Sequence, residues 1–134
     1  MKNARIILAA TILMLVAILV PRTANALPKS WNDSRTKTIA GVTYRYRKSD
    51  HAAVVIRTRG KSVTIPREVR IGRRFYEVKN IWQGGINRKC RRITIHADLE
   101  SCEDGRLWQV KVYVTNRGVY HWLHDTGANV RYIR

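Results

Sequence analysis

Two short runs, Val63-Thr64-Ile65 and Ile93-Thr94-Ile95, do most to limit what this chain can fold into. Each sets β-branched apolar residues either side of a threonine, the two-residue period of a strand with one buried face. Pro66 closes the first run. Between the two lie a basic turn at 67–74, the strand-like segment Phe75-Tyr76-Glu77-Val78-Lys79-Asn80-Ile81, and a polar link to Cys90. Brief β-rich segments that return after turn-rich links point to a coil that climbs and stacks on itself.

The flanking sequence supplies the ends of such a stack. Gly41-Val42-Thr43-Tyr44-Arg45-Tyr46 alternates apolar or aromatic with polar residues, and Ala53-Val54-Val55-Ile56-Arg57 reads as its antiparallel partner across a turn at Lys48, Ser49 and Asp50. Within 75–81, Tyr76, Val78 and Asn80 should share one side, with Val78 and Ile81 inward. The glycines and polar residues of 82–87 allow one helical turn at most. Residues 107–114 alternate as a strand, Asn116 and Gly118 close it, 119–125 form a short helix ended by Gly127, and Val130-Arg131-Tyr132-Ile133 is a last strand over the open end. The expected fold is mainly β: a short solenoid of two to three coils with an N-terminal β-hairpin and a C-terminal capping helix and strand. A small β-sandwich or barrel is the alternative. Parallel pairing of 63–65 with 93–95 belongs to the solenoid and antiparallel pairing to the sandwich.

Residues 1–26 read as a signal peptide. Lys2 and Arg5 precede an apolar run, 6–20, that only Thr11 interrupts; Pro21 breaks it and Ala24-Asn25-Ala26 offers a small-x-small cleavage site. A bilayer-crossing helix needs about 20 apolar residues, so an uncleaved anchor is the weaker reading. Residues 27–38 are polar apart from Trp31 and are expected to form a flexible leader before a single domain at 39–134. The expected location is outside the cytoplasm: secreted, on the cell surface or in the periplasm.

Charge is the second constraint. Lys and Arg number 26 against nine Asp and Glu, a net charge of +17, and removing Lys2, Arg5 and Arg22 with the leader peptide leaves +14. Such a field attracts anions, and an excess of arginine over lysine favours forked contacts to phosphate, sulfate or carboxylate. Arg67, Arg70, Arg73, Arg74, Arg88, Lys89, Arg91 and Arg92 are the candidate ligand-binding residues, a basic stripe along stacked turns. A protein, an anionic glycan or an envelope polymer is the expected partner. Nucleic acid is not expected, because export separates the chain from genomic DNA and the aromatics do not interleave with the basic run as stacking platforms would.

No catalytic constellation emerges. His121, His124 and Asp125 have metal-like spacing, yet catalytic zinc needs three protein ligands and a helix would set Asp125 off the histidine face. Asp98, Glu100, Glu103 and Asp104 lack the central glycine and distal glutamate of a calcium loop and read as a solvated turn near the arginines. Cys90 or Cys102 would need a positioned histidine to act as nucleophile, and an Ile-Thr-Ile strand holds His96 away from Cys90. The two cysteines form either a disulfide, suited to an oxidising compartment, or two separate buried thiols. The chain is expected to be a non-enzyme without cofactor or metal.

Taken together these segments resemble the BspA-type leucine-rich repeats of exported bacterial proteins. The resemblance covers roughly 39–133: the Gly-Val-x-Tyr strand at 41–44, the Val-Thr-Ile-Pro signature at 63–66, a Gly-x-x-Tyr-x-Val-x-x-Ile segment with one extra residue at 72–81, Cys90 before the next strand, and Val112-Tyr113-Val114 before a short helix and last strand. Departures are Ile86 where an aromatic is usual, Arg92 for a leucine, and His96 and Thr115 where proline would follow the second and third strands. The resemblance implies a leucine-rich-repeat-like domain that serves as a secreted or cell-surface protein-binding module, often in adhesion, without catalysis, and it carries no ligand residues over. The alternative function is a cationic structural protein of the envelope without a specific receptor.

Overall fold

The computed structural model describes Trp31 and residues 33–134. The expected signal peptide, 1–26, and the start of the leader lie outside the described residues. The chain divides into a unit Met1–Asp33, of which Trp31 and Asp33 are described, and a unit Ser34–Arg134 that carries all the elements below. In chain order these are β1 (Arg35–Ile39), β2 (Val42–Arg47), β3 (Ala52–Arg57), β4 (Ser62–Ile65), β5 (Glu68–Ile71), β6 (Arg74–Ile81), β7 (Arg92–Ile95), β8 (Ser101–Cys102), a 3-10 helix (Gly105–Gln109), β9 (Lys111–Val114), α1 (Arg117–Asp125) and β10 (Val130–Tyr132). The fold is mainly β, with a curled half-barrel sheet.

A mixed sheet runs in the order β1-β2-β3-β6-β5, with β8 also on β6. The expected hairpin is β2–β3, antiparallel with Tyr44 opposite Val55 and Tyr46 opposite Ala53. In front of it stands β1, so the leader expected to run to 38 is a strand from Arg35. The first four residues of this edge strand are exposed, so it carries no apolar alternation by which it could be seen. It joins β2 through Ala40 and Gly41, both left-handed at φ 53° and 80°, the two-residue turn whose twist suits a hairpin. For alanine that conformation costs on the order of 1 kcal/mol.

The centre of this sheet is parallel. Ala53 pairs with Val78 and Val54 with Asn80, so Lys79 is an extra residue in β6, and Asn80 pairs onward with Ser101. The bulge reverses the inside–outside alternation: Tyr76 and Val78 are buried, Asn80 is not, and Ile81 is buried again. Tyr76, Val78 and Asn80 therefore do not share one side as strict alternation would have it. Gly85 follows close behind, where a Cβ would lie 2.9 Å from Ile81 Cγ2 and from the Trp82 carbonyl oxygen and 3.0 Å from that of Val55. Only glycine lets the link pass there.

The second sheet, β10-β9-β7-β4, is parallel throughout and in register. Val63, Ile93 and Val112 form one inward row, and Ile65, Ile95 and Val114 the next; all six are buried. Burial of each side chain contributes roughly 1.5–3 kcal/mol, which is why two three-residue runs constrain the fold so strongly. They meet the inner residues of the mixed sheet, among them Tyr44, Val55, Tyr76 and Val78, in one core.

The residue after each strand ties it to the one before. The amide of His96 donates to the Ile65 carbonyl at 2.8 Å, Thr115 to Ile95 at 3.2 Å and Ile133 to Val114 at 2.8 Å. β4 has no preceding strand in this sheet, so at Pro66 the missing N–H forfeits no such bond. Proline at 66 against His96 and Thr115 at the corresponding positions thus follows from position in the sheet.

The expected strand at 107–114 is shorter, because 105–109 form the 3-10 helix and only Lys111–Val114 is extended. Asp104 causes the change by accepting the Arg106 amide at 3.0 Å and nucleating the turn. The C-terminal helix forms as expected but starts earlier. Asn116, read as a strand stop, is its N-cap, accepting the Val119 amide at 2.9 Å; Val119 and Leu123 are buried, and Tyr120 packs partly buried against the core. Trp122 meets Trp108 edge-on at 6.2 Å between ring centres, and the Trp108 indole donates to Thr126 Oγ1 at 3.0 Å, pinning the end of the helix to the 3-10 segment.

Candidate functional site

The alternation that buries Val63, Ile93 and Val112 sends their neighbours outward. Ser62, Arg92 and Lys111 stand side by side in one outer row of the parallel sheet, and Thr64, Thr94, Tyr113 and Arg131 in the next. Neighbouring strands lie about 4.8 Å apart, so the arginine, lysine and tyrosine side chains share a continuous surface. The Arg92 guanidinium sits over the Tyr113 ring, 4.8 Å from its centre, a cation–π contact that ties the two side chains together. At the leading margin Lys61 and Arg91 join them, the Arg91 amide donating to Lys61 at 2.8 Å and the Lys111 amide to Arg91 at 3.1 Å.

No aspartate or glutamate lies in β4, β7, β9 or β10. The acids gather elsewhere. Lys79 bridges Glu77 at 3.1 Å and Glu100 at 3.2 Å, which raises its pKa, and Asn80 donates to Glu103 at 3.0 Å. The run 98–104 therefore folds against β6. Asp104 is no solvated turn residue: it is 2 % exposed, and its second carboxylate oxygen accepts the buried Ile86 amide at 2.8 Å.

The eight cations singled out by sequence fall into two groups. Arg67, Arg70, Arg73 and Arg74 belong to the β5–β6 hairpin, whose tip carries Arg70 over the exposed Phe75 ring at 5.9 Å and Arg74 against His51 at 3.1 Å. Arg88, Lys89, Arg91 and Arg92 lie on the link into β7, with the Arg88 carbonyl accepting from Arg106 at 3.0 Å. The eight residues of β6, roughly 25 Å at about 3.3 Å per residue, run from the hairpin tip to the start of that link. The second group instead continues into Lys111, Tyr113 and Arg131. Sequence reasoning passed over these three because their adjacency to Arg92 depends on strand register, although the outward alternation of 111, 113 and 131 is written in the chain.

Cys90 and Cys102 are free thiols, not a disulfide. Each donates to the carbonyl two residues on, Arg92 and Asp104 respectively, both at 3.4 Å. Burial raises the Cys90 thiol and pushes Cys102 up to about 12, far from a reactive thiolate. Among the described residues no group of three or more His, Cys, Asp or Glu is placed to hold a metal ion, and no helix is long and apolar enough to cross a membrane.

No family model matches the chain, and no curated protein does. Among solved structures it is similar to a leucine rich cell surface protein from Faecalibacterium prausnitzii A2-165, at 14% identity and a TM-score of 0.35 over 74% of this chain. The match covers 30% of that protein, so the chain spans less than a third of its length.

Proposed function

We propose that this chain is an exported, non-catalytic binding module, a short leucine-rich-repeat-like solenoid that takes a polyanionic glycan or envelope polymer on the outer face of its parallel sheet. The observation that carries the reading is that acid-free face, where Arg92, Lys111 and Arg131 stand around Tyr113. Sulfate or carboxylate groups of an extended polymer meet forked and point cations there, and the tyrosine offers a flat ring for a sugar face. Two parallel ladders, β3–β6–β8 and β4–β7–β9, favour a repeated coil over a sandwich. Export rests on the composition of residues 1–26.

The test is a titration with a sulfated glycan at low and at physiological salt. Selective binding retained at physiological salt, and weakened by Arg92→Ala with Lys111→Ala far more than by Arg73→Ala with Arg74→Ala, is the expected result. Binding lost at physiological salt and insensitive to which pair is removed is charge alone, as counterion release requires. That outcome would replace the module with a cationic envelope protein lacking a receptor.

A further inference from the structure

The first strand of the parallel sheet is paired on one side only. The Lys61 and Ile65 carbonyls point to β7, accepting from Arg92 and His96, so the backbone groups of the alternate residues Ser62 and Thr64 point the other way, where the sheet has no strand. Pro66, next in that alternation, ends this open edge. Beside it lies a groove of about 370 Å³ whose lining includes Ser62, Thr64 and Pro66 of this edge and Ala40 of the β1–β2 turn. That volume is within the range of ligand sites. Tyr44 lines the groove while being 1 % exposed. Arg59 is the charged residue of the lining, Arg57 and Lys61 flank it in sequence, and no acid lines the groove.

We infer that this groove is a binding site for an extended acidic peptide segment of another protein, which adds as a strand to the free edge of β4. Its backbone pairs with the N–H and C=O groups of Ser62 and Thr64, the mode by which exposed sheet edges capture peptides. Its inward apolar side chains fill the groove against Val63 and Val69, and a carboxylate meets Arg59. A second copy of the chain is a poor occupant, because each copy is strongly cationic, +14 even without residues 1–26. This site is separate from the glycan-binding face: it uses the edge of the sheet, not its outer surface.

A dye-labelled, capped hexapeptide alternating valine and glutamate tests the assignment by fluorescence anisotropy, with amide exchange locating it. Saturable binding is expected, with slowed exchange at the Ser62 and Thr64 amides. N-methylating the alternate amides of the peptide that face β4 removes two hydrogen bonds and should weaken binding about tenfold; this variant leaves the protein untouched. A valine–lysine peptide should bind more weakly than the glutamate peptide, and Arg59→Glu should reverse that order. The assignment is overturned by no saturable binding up to millimolar peptide, by equal affinity of the N-methylated peptide, or by protection at Thr94 and Tyr113 in place of Ser62 and Thr64.

Discussion

Removing the Asp104 carboxylate is the perturbation with the clearest arithmetic. Its two oxygens each accept one backbone amide, Ile86 at 2.8 Å and Arg106 at 3.0 Å, and the residue is 2 % exposed. Asp104→Ala leaves the buried Ile86 N–H without an acceptor, which costs about 1–3 kcal/mol, and removes the cap of the 3-10 helix, worth about 1 kcal/mol. The expected loss is therefore about 3 kcal/mol, or roughly 12 °C in Tm for a domain near 100 residues. Asp104→Asn has nearly the same shape but turns an NH₂ toward one of the two amides. It should cost about 1–3 kcal/mol, much closer to alanine than to wild type. Urea unfolding measures both, and amide exchange at Ile86 reports the local effect. A loss below about 1 kcal/mol for alanine, or an Ile86 amide equally protected in the variant, would refute the reasoning, since the bond would then add little beyond what water supplies.

Other expectations follow from the same kind of accounting. Gly85→Ala forces a Cβ to within 3.0 Å of two backbone carbonyl oxygens and should cost about 1–3 kcal/mol in urea unfolding; a neutral result would show that the link can shift. His96→Pro removes the amide bonded to the Ile65 carbonyl and should destabilise by at least about 1 kcal/mol, whereas Pro66→Ala, at the open edge, should be near neutral; equal effects would contradict the strand register. The Arg47 fork grips Asp50 through two 2.7 Å bonds and holds its carboxyl below the ordinary range, so the pair's contribution is present above the ordinary carboxylate pKa and lost as pH falls through the lowered one. Asp50→Asn should accordingly cost about 0.5 kcal/mol near neutral pH and nothing in strong acid, and a cost unchanged in acid would assign the effect to something other than charge. Burial of Cys90 and Cys102 predicts no reaction of either thiol with a disulfide reagent in the native state near pH 8; labelling faster than global unfolding would sink that reading.

How much of this could be read from the chain depended on whether a residue's role was local. Val63, Ile65, Ile93 and Ile95 were legible because alternation of β-branched residues is a local signal with a single buried face. The β2–β3 hairpin and α1 were legible for similar reasons. β1 was not, since a strand exposed on both faces needs no apolar residues and so looks like a leader. Trp108 and Val110 keep the period of a strand with Val112 and Val114, but the capping carboxylate of Asp104 outweighed it. The Lys79 bulge changed which side Asn80 and Ile81 face, and nothing in 75–81 announces an unpaired residue. The basic surface fared least well as a unit. Arginines near in sequence were divided between the β5–β6 hairpin and the link into β7, while Lys111 and Arg131, distant in sequence, came to stand near Arg92. Surface charge patterns are set by register, and register is a property of the whole sheet.

The Trp108–Trp122 pair makes part of the molecule visible on its own. The chain has four tryptophans, and these two meet where the 3-10 segment holds the end of the C-terminal helix. Near-ultraviolet ellipticity from that edge-on contact is consequently a signal of the cap, whereas the far-ultraviolet band comes mostly from the strands. If the cap loosens before the sheets, the first signal fades at lower urea than the second. The spacing between the two curves would then measure, without any label, how firmly the last strand is shut.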